Sequence, residues 1–81
     1  MQVSVCFYSY FKEFAGCANK TEELPDKSTI ADLLKKVFVQ IPKLANMEKS
    51  MLVAVGVDYQ PRDYVLKNGD EVSLFPPVQG G

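Results

Sequence analysis

A single helical stripe dominates the chain. Ile30, Leu33, Leu34, Val37 and Ile41 recur at helical spacing, while Lys35, Lys36 and Gln40 cover the other side. Thr29 stands where an N-cap belongs, and Asp32 at the third helical position offers a carboxylate in return. Phe38 and Val39 blur the stripe, and Pro42 stops it. No other stretch gives a long helix signal. A lone apolar stripe needs a surface to lie on. The rest of the chain offers short alternating segments, so that surface is a sheet.

Residues 2–8 alternate: Val3, Val5 and Phe7 face the core, and Gln2, Ser4, Cys6 and Tyr8 face outward. Tyr8 is then an exposed aromatic. Tyr10, Phe11 and Phe14 predict a turn of helix or a structured loop, punctuated by Gly16. Residues 19–24 form a weaker, mostly polar strand suited to a sheet edge. Residues 25–28 read as a loop. Residues 52–57 are short, apolar and β-branched, which predicts a central strand; Gly56 inside it marks a bulge or close backbone approach. Residues 58–61 are a turn or very short strand. Leu66 plugs the core ahead of the turn 67–70, where Asn68-Gly69 supplies positive φ. In the last strand, 71–75, Val72 and Leu74 point one way and Ser73 and Phe75 the other. The expected class is α+β, with a mixed sheet packed on one main helix. A β-grasp arrangement, with the first and last strands adjacent in the centre, suits the most apolar strands being the first and the last.

Composition narrows the function. At 81 residues the chain fits one domain, 1–81, and a chain this short buries only roughly 60% of its unfolded surface. Nine Lys and Arg stand against ten Asp and Glu. That balance argues against nucleic acid and against a polybasic membrane anchor. Histidine is absent, which removes the commonest acid–base and metal side chain. Cys6 and Cys17 match neither CxxC nor a zinc-ligand spacing and read as reduced thiols, with no metal expected. The start lacks a basic region ahead of an apolar run, and no stretch approaches the ~20 apolar residues of a membrane span. The expected location is cytoplasmic.

The C-terminal segment is the most informative. Pro76 and Pro77 favour an extended exit from the last strand and end its ladder. Gly80 and Gly81 then make a narrow tip without side chains. Such a tip can thread a slot in a partner and present the α-carboxylate of Gly81. A carboxylate is a poor acyl donor until a partner adenylates it with ATP. Sulfur transfer to it leaves a thiocarboxylate, and amine attack leaves an amide. Glycine-rich tails also occur without any such role, so the pair alone is not specific.

The run Asn68-Gly69-Asp70-Glu71-Val72-Ser73-Leu74-Phe75-Pro76-Pro77-Val78-Gln79-Gly80-Gly81 resembles the signature end of the sulfur-carrier subunits of molybdopterin synthase. The segment from Val5 through Gly16 is similar to that family's first strand and short helical turn. Gly56 departs from it, standing where many members have asparagine. The resemblance implies a ubiquitin-like β-grasp fold in which residues 76–81 are the reactive tail. It implies that an activating enzyme of the ubiquitin-activator type adenylates Gly81, and that a sulfur donor protein converts it to a thiocarboxylate. The tail then inserts into the large synthase subunit and gives sulfur to cyclic pyranopterin monophosphate. The implied assembly has two small and two large subunits, with no permanently bound cofactor on the small one, which is non-catalytic alone.

On this reading Gly81 carries the reacting group, Gly80 gives clearance, and Pro76, Pro77, Val78 and Gln79 aim and dock the tail. Tyr8, Tyr59 and Phe75 are expected to form an apolar patch on the open sheet face for the partner. Arg62 is a further candidate there, and Arg62 and Lys67 are both expected near the tail exit. Until a partner covers it, the tail is expected to be mobile. The alternatives are a thiamine-thiazole sulfur carrier, a ubiquitin-like protein modifier and a non-reactive interaction domain.

Overall fold

The computed structural model describes residues 1–77. Of the tail expected to be reactive, Val78, Gln79, Gly80 and Gly81 lie outside the described residues. Five strands are present: β1 Gln2–Phe7, β2 Asn19–Glu23, β3 Leu52–Val55, β4 Asp58–Tyr59 and β5 Glu71–Phe75. The helices are α1 Phe11–Ala15, α2 Ile30–Gln40 and α3 Pro42–Ala45, followed by a 3-10 turn at Glu48–Ser50. The sheet order is β2-β1-β5-β3-β4. β1 and β5 run parallel at its centre, and every other pairing is antiparallel. This is the mixed β-grasp sheet the alternation predicts.

Helix α2 forms for the reasons its sequence states. The Thr29 hydroxyl accepts from the Asp32 amide at 3.3 Å, and Asp32 Oδ2 accepts from the Thr29 amide at 2.9 Å, which closes a capping box. Ile30, Leu33, Leu34 and Val37 are buried against Val3, Val5 and Phe7 of β1 and Val72 and Leu74 of β5. Leu66 plugs the same core, and its amide reaches the Ser28 carbonyl at 2.8 Å.

The cap makes a prediction. Thr29→Ala should cost about 1 kcal/mol of stability. Hydrogen bonds from the Thr29 amide and hydroxyl, helped by Lys35, hold the Asp32 carboxyl below its ordinary value of 3.8. A depressed carboxyl stabilises the fold above that ordinary value and loses its contribution as pH falls through the lower folded one. Acid denaturation should therefore lose this component below pH 3.8 in the native chain, and Thr29→Ala should flatten that limb. Urea titrations of both proteins across the acid range check it.

Two elements differ from expectation. β3 stops at Val55, because Gly56 turns left-handed at φ 62 and begins the hairpin to β4. A Cβ at Gly56 would meet nothing within 4 Å, so space is not what requires glycine there; the positive φ is. Asparagine is the other residue that tolerates this conformation, which gives the departure at this position a physical reading. The second difference is that Pro42 starts a new helix, α3, rather than only ending α2. Proline suits a first helical position, and Leu44 packs into the core.

β2 is an edge strand, as its polarity indicates, yet Glu22 is only 4% exposed. Its carboxylate lies 3.1 Å from Lys20 Nζ and 3.5 Å from Lys36 Nζ. Lys36 also donates to the Glu23 carbonyl at 2.5 Å, on the side of β2 that no strand covers. An inward charge and a lysine over a free carbonyl both discourage another strand from adding at this edge.

Candidate functional site

The face of the sheet away from α2 is open. The pairing registers set two rows across it. One runs Cys6, Ser73, Ala54, Tyr59; the other places Phe75 beside Leu52 on one side and Tyr8 on the other. Small residues at Ser73 and Ala54 leave a low floor between larger side chains. Tyr8 and Phe75 stack with ring centroids 4.6 Å apart and planes 13° from parallel. Tyr59 meets Phe75 edge-on at 6.4 Å. Tyr8 is 41% exposed and Tyr59 69%, so the cluster presents apolar area to solvent.

The backbone fixes this cluster at the end of β5. The Tyr8 amide donates to the Leu74 carbonyl at 3.2 Å, carrying the parallel pairing one residue beyond β1. Ser9 then takes φ 55, a left-handed value rare for serine, and the chain turns into α1. Pro76 and Pro77 follow Phe75 directly and are half-buried. Proline has no amide to donate, so the ladder ends at the stacked ring. The tail therefore starts from the edge of the aromatic cluster.

Tyr8, Tyr59 and Phe75 are thus brought together. Arg62 is placed differently. Its Nη2 donates to the Met51 carbonyl at 2.8 Å and the Glu48 carbonyl at 3.2 Å, tying the 3-10 turn and the start of β3 to the loop after β4. It sits at the tail end of the sheet, because β3 begins beside Phe75. Lys67 does not. It belongs to the turn ahead of β5, where the Gly69 amide reaches the Gln2 carbonyl, so it lies at the far end of the strands. In that turn the Lys67 amide donates to Asp70 Oδ2 at 2.9 Å and the Gln2 amide to Asn68 Oδ1 at 2.8 Å. Asp70 is a turn residue.

Cys6 lies on the open face beside the aromatic cluster. Burial, with the Glu71 carboxylate adding to it, pushes its thiol up, which favours the protonated and poorly nucleophilic form. Cys17 is exposed. Among the described residues, no group of His, Cys, Asp and Glu is placed to hold a metal ion, and no helix is long and apolar enough to cross a membrane. What the described site offers is a partly exposed aromatic face and, at Pro76 and Pro77, the end of the strand ladder beside it.

Comparison with known proteins agrees with this arrangement. The molybdopterin synthase sulfur carrier subunit of Chlamydomonas reinhardtii is 36% identical over the whole of both chains. A chain from the complex of subunits 1 and 2 of the molybdopterin-converting factor of Helicobacter pylori matches over the whole of both chains at 26% identity and TM-score 0.72. The small archaeal modifier protein 1 of Haloferax volcanii is 20% identical, with TM-score 0.83 over 95% of this chain and 98% of that one, a likeness of fold alone. The ThiS family model matches residues 5–81. The chain belongs to the ThiS family.

Proposed function

We propose that the chain is the sulfur-carrier subunit of a molybdopterin synthase, with a thiocarboxylate on Gly81 as the carried group. The observation that carries this reading is the end-to-end likeness to a molybdopterin synthase sulfur carrier subunit at 36% identity. The tail sequence supports it. Two prolines follow the last strand and a side-chain-free Gly80-Gly81 follows them, the pattern expected of a carboxyl that must enter another protein's slot.

In this reading the domain 1–81 is a carrier and the chemistry on the pterin belongs to the large subunit. A ubiquitin-activator-like enzyme uses ATP to couple the Gly81 carboxylate to AMP, releasing pyrophosphate. A sulfur donor protein then supplies the sulfur that displaces AMP. The charged carrier docks on the large subunit through Tyr8, Tyr59 and Phe75, threads residues 76–81 inward, and passes sulfur to cyclic pyranopterin monophosphate. Each dithiolene needs two sulfurs, so a spent carrier must leave and be recharged. Two small subunits on a large-subunit dimer fit that traffic. Arg62 acts behind the docking face by holding the start of β3 in place.

Incubation of the full chain with its activating enzyme, ATP and a sulfur source should raise its intact mass by one oxygen-to-sulfur exchange, located at Gly81 by fragmentation. The charged product should convert the pterin precursor when the large subunit is added. An unmodified terminus with a competent activator overturns the proposal. Conversion with thiazole synthase instead of the large subunit would place the chain in thiamine synthesis.

A further inference from the structure

Asn68 is the one asparagine of the chain followed by glycine; Asn19 precedes Lys20 and Asn46 precedes Met47. An asparagine in that position is chemically labile. The next backbone nitrogen can attack the side-chain carbonyl carbon, and glycine, having no Cβ, leaves the approach open. Asn68 and Gly69 are both exposed, so water and hydroxide reach them. They lie in the turn ahead of β5, at the end of the sheet away from the tail, and the carrier reading uses neither. Both reacting groups are held by one residue of β1. The Gly69 amide donates to the Gln2 carbonyl at 2.7 Å, and Asn68 Oδ1 accepts from the Gln2 amide at 2.8 Å. Behind them the Asp70 amide donates to the Lys67 carbonyl at 3.0 Å, and the Lys67 amide to Asp70 Oδ2 at 2.9 Å. The Ser4 amide then donates to the Asp70 carbonyl at 2.9 Å, where the parallel pairing of β1 with β5 begins. An amide bonded to a protein carbonyl does not give up its proton to solvent until that bond opens, the condition that also governs its hydrogen exchange. The bond from Gln2 to Oδ1 likewise fixes where the side-chain carbon of Asn68 lies.

We propose that Asn68 is a modification site, deamidating through a cyclic imide at a rate set by how often the turn lifts off Gln2. The reaction needs no catalyst, and water is its only co-reactant. The Gly69 nitrogen bonds to Asn68 Cγ, the Cγ–Nδ2 bond breaks, and the proton lost from Gly69 leaves with Nδ2 as ammonia. Water then opens the ring at either of its two carbonyls. Attack at Cγ gives aspartate. Attack at the main-chain carbonyl gives isoaspartate, in which the chain runs through the former side chain and is one carbon longer. The two products differ in what they do to the fold. Aspartate keeps an oxygen for the Gln2 amide to bond. Isoaspartate lengthens the turn immediately ahead of β5, whose register with β1 starts at Ser4 and Glu71. The central strand pair, and the strand that ends at Phe75, then start from a displaced turn.

Peptide mapping of the full chain during incubation at mildly alkaline pH tests this, with aspartyl and isoaspartyl products separated. Unfolded in urea, Asn68 should convert well ahead of Asn19 and Asn46. Folded, its conversion should slow by about tenfold or more, the size expected when two hydrogen bonds must open first. Gln2→Pro removes the amide that Asn68 accepts from, at a strand's first residue, where proline is tolerated. It should speed conversion in the folded chain about three- to tenfold, whereas Gln2→Ala keeps the amide and should change it less than about twofold. Hydrogen exchange of the Gly69 amide in the unsubstituted chain should rise in step with deamidation as urea is raised below the unfolding transition, a readout that needs no variant to fold. Asn68→Asp should leave the melting temperature unchanged; a lowered one overturns the account of the aspartyl product. Equal conversion in the folded and unfolded chains overturns the hold of the turn, as does a folded Gln2→Pro chain that converts no faster than Gln2→Ala. Asn68 converting no faster than Asn19 and Asn46 in urea overturns the site itself. Each of these outcomes leaves the carrier reading standing.

Discussion

Deleting Gly81 should abolish sulfur transfer and leave the domain folded. Each residue of an extended chain contributes about 3.3–3.6 Å of reach, so the truncated tail presents its carboxyl on Gly80 that much short of the reacting position. Misplacement by about 1 Å already costs on the order of 10²-fold in an oriented reaction. Transfer should therefore fall by more than about 10²-fold, to background, in a single-turnover assay with the large subunit. Stability should change by less than about 0.5 kcal/mol, the usual range for a surface change. Among the described residues, the buried core runs from Val3 to Leu74. Unimpaired transfer by the truncated chain would sink the assignment of Gly81 as the carrying residue. Lost transfer together with a lowered melting temperature would show instead that the tail serves the fold.

The sequence made the frame of the molecule readable wherever one face of an element had to be apolar. The stripe from Ile30 to Ile41 and the alternation in β1 and β5 leave few ways to bury both, and the helix on a mixed sheet is the outcome. Thr29 and Asp32 announce the start of α2 because a capping box is local chemistry, settled within four residues. Segment 43–51 was opaque for the opposite reason. Leu44 and Met51 are buried, but they belong to short elements whose place comes from tertiary packing and not from a period.

Side chains that work through distant partners were also hidden. Glu22 sits in a polar edge strand, and nothing local says that its carboxylate turns inward between Lys20 and Lys36. Arg62 looks like a free surface cation until the fold brings the Glu48 and Met51 carbonyls within reach. Lys67 is close in sequence to the last strand, yet it precedes that strand, so the strand's whole length separates it from the tail. The open-face aromatics were legible because strand alternation exposes Tyr8 and Phe75 on one side. Their stacking followed only once β1 and β5 were known to be parallel neighbours.

That stack should dominate docking. Phe75→Ala is expected to weaken binding of the large subunit by about 2–3 kcal/mol, roughly 30- to 150-fold, in line with a central aromatic anchor. Phe75 touches both other rings of the cluster and immediately precedes the tail, so its loss removes contact area and the wall from which the tail departs. Tyr8→Ala should cost less, because Tyr8 lies to one side, and Tyr8→Phe should bind almost as the unsubstituted chain does. The pair should not be additive. Each ring holds the other in place for the partner, and residues in contact couple by about 0.5–3 kcal/mol, so a double-mutant cycle on Tyr8 and Phe75 should return binding coupling in that range. Calorimetric titration of the four proteins against the large subunit measures it, with thermal melts to exclude unfolding. Equal affinity in all four would show that the open face takes no part in docking. Additive losses would show two independent anchors. Coupling requires the rings to meet the partner as one surface, already assembled before the partner arrives, and such a surface loses less side-chain freedom on binding than separate flexible groups would.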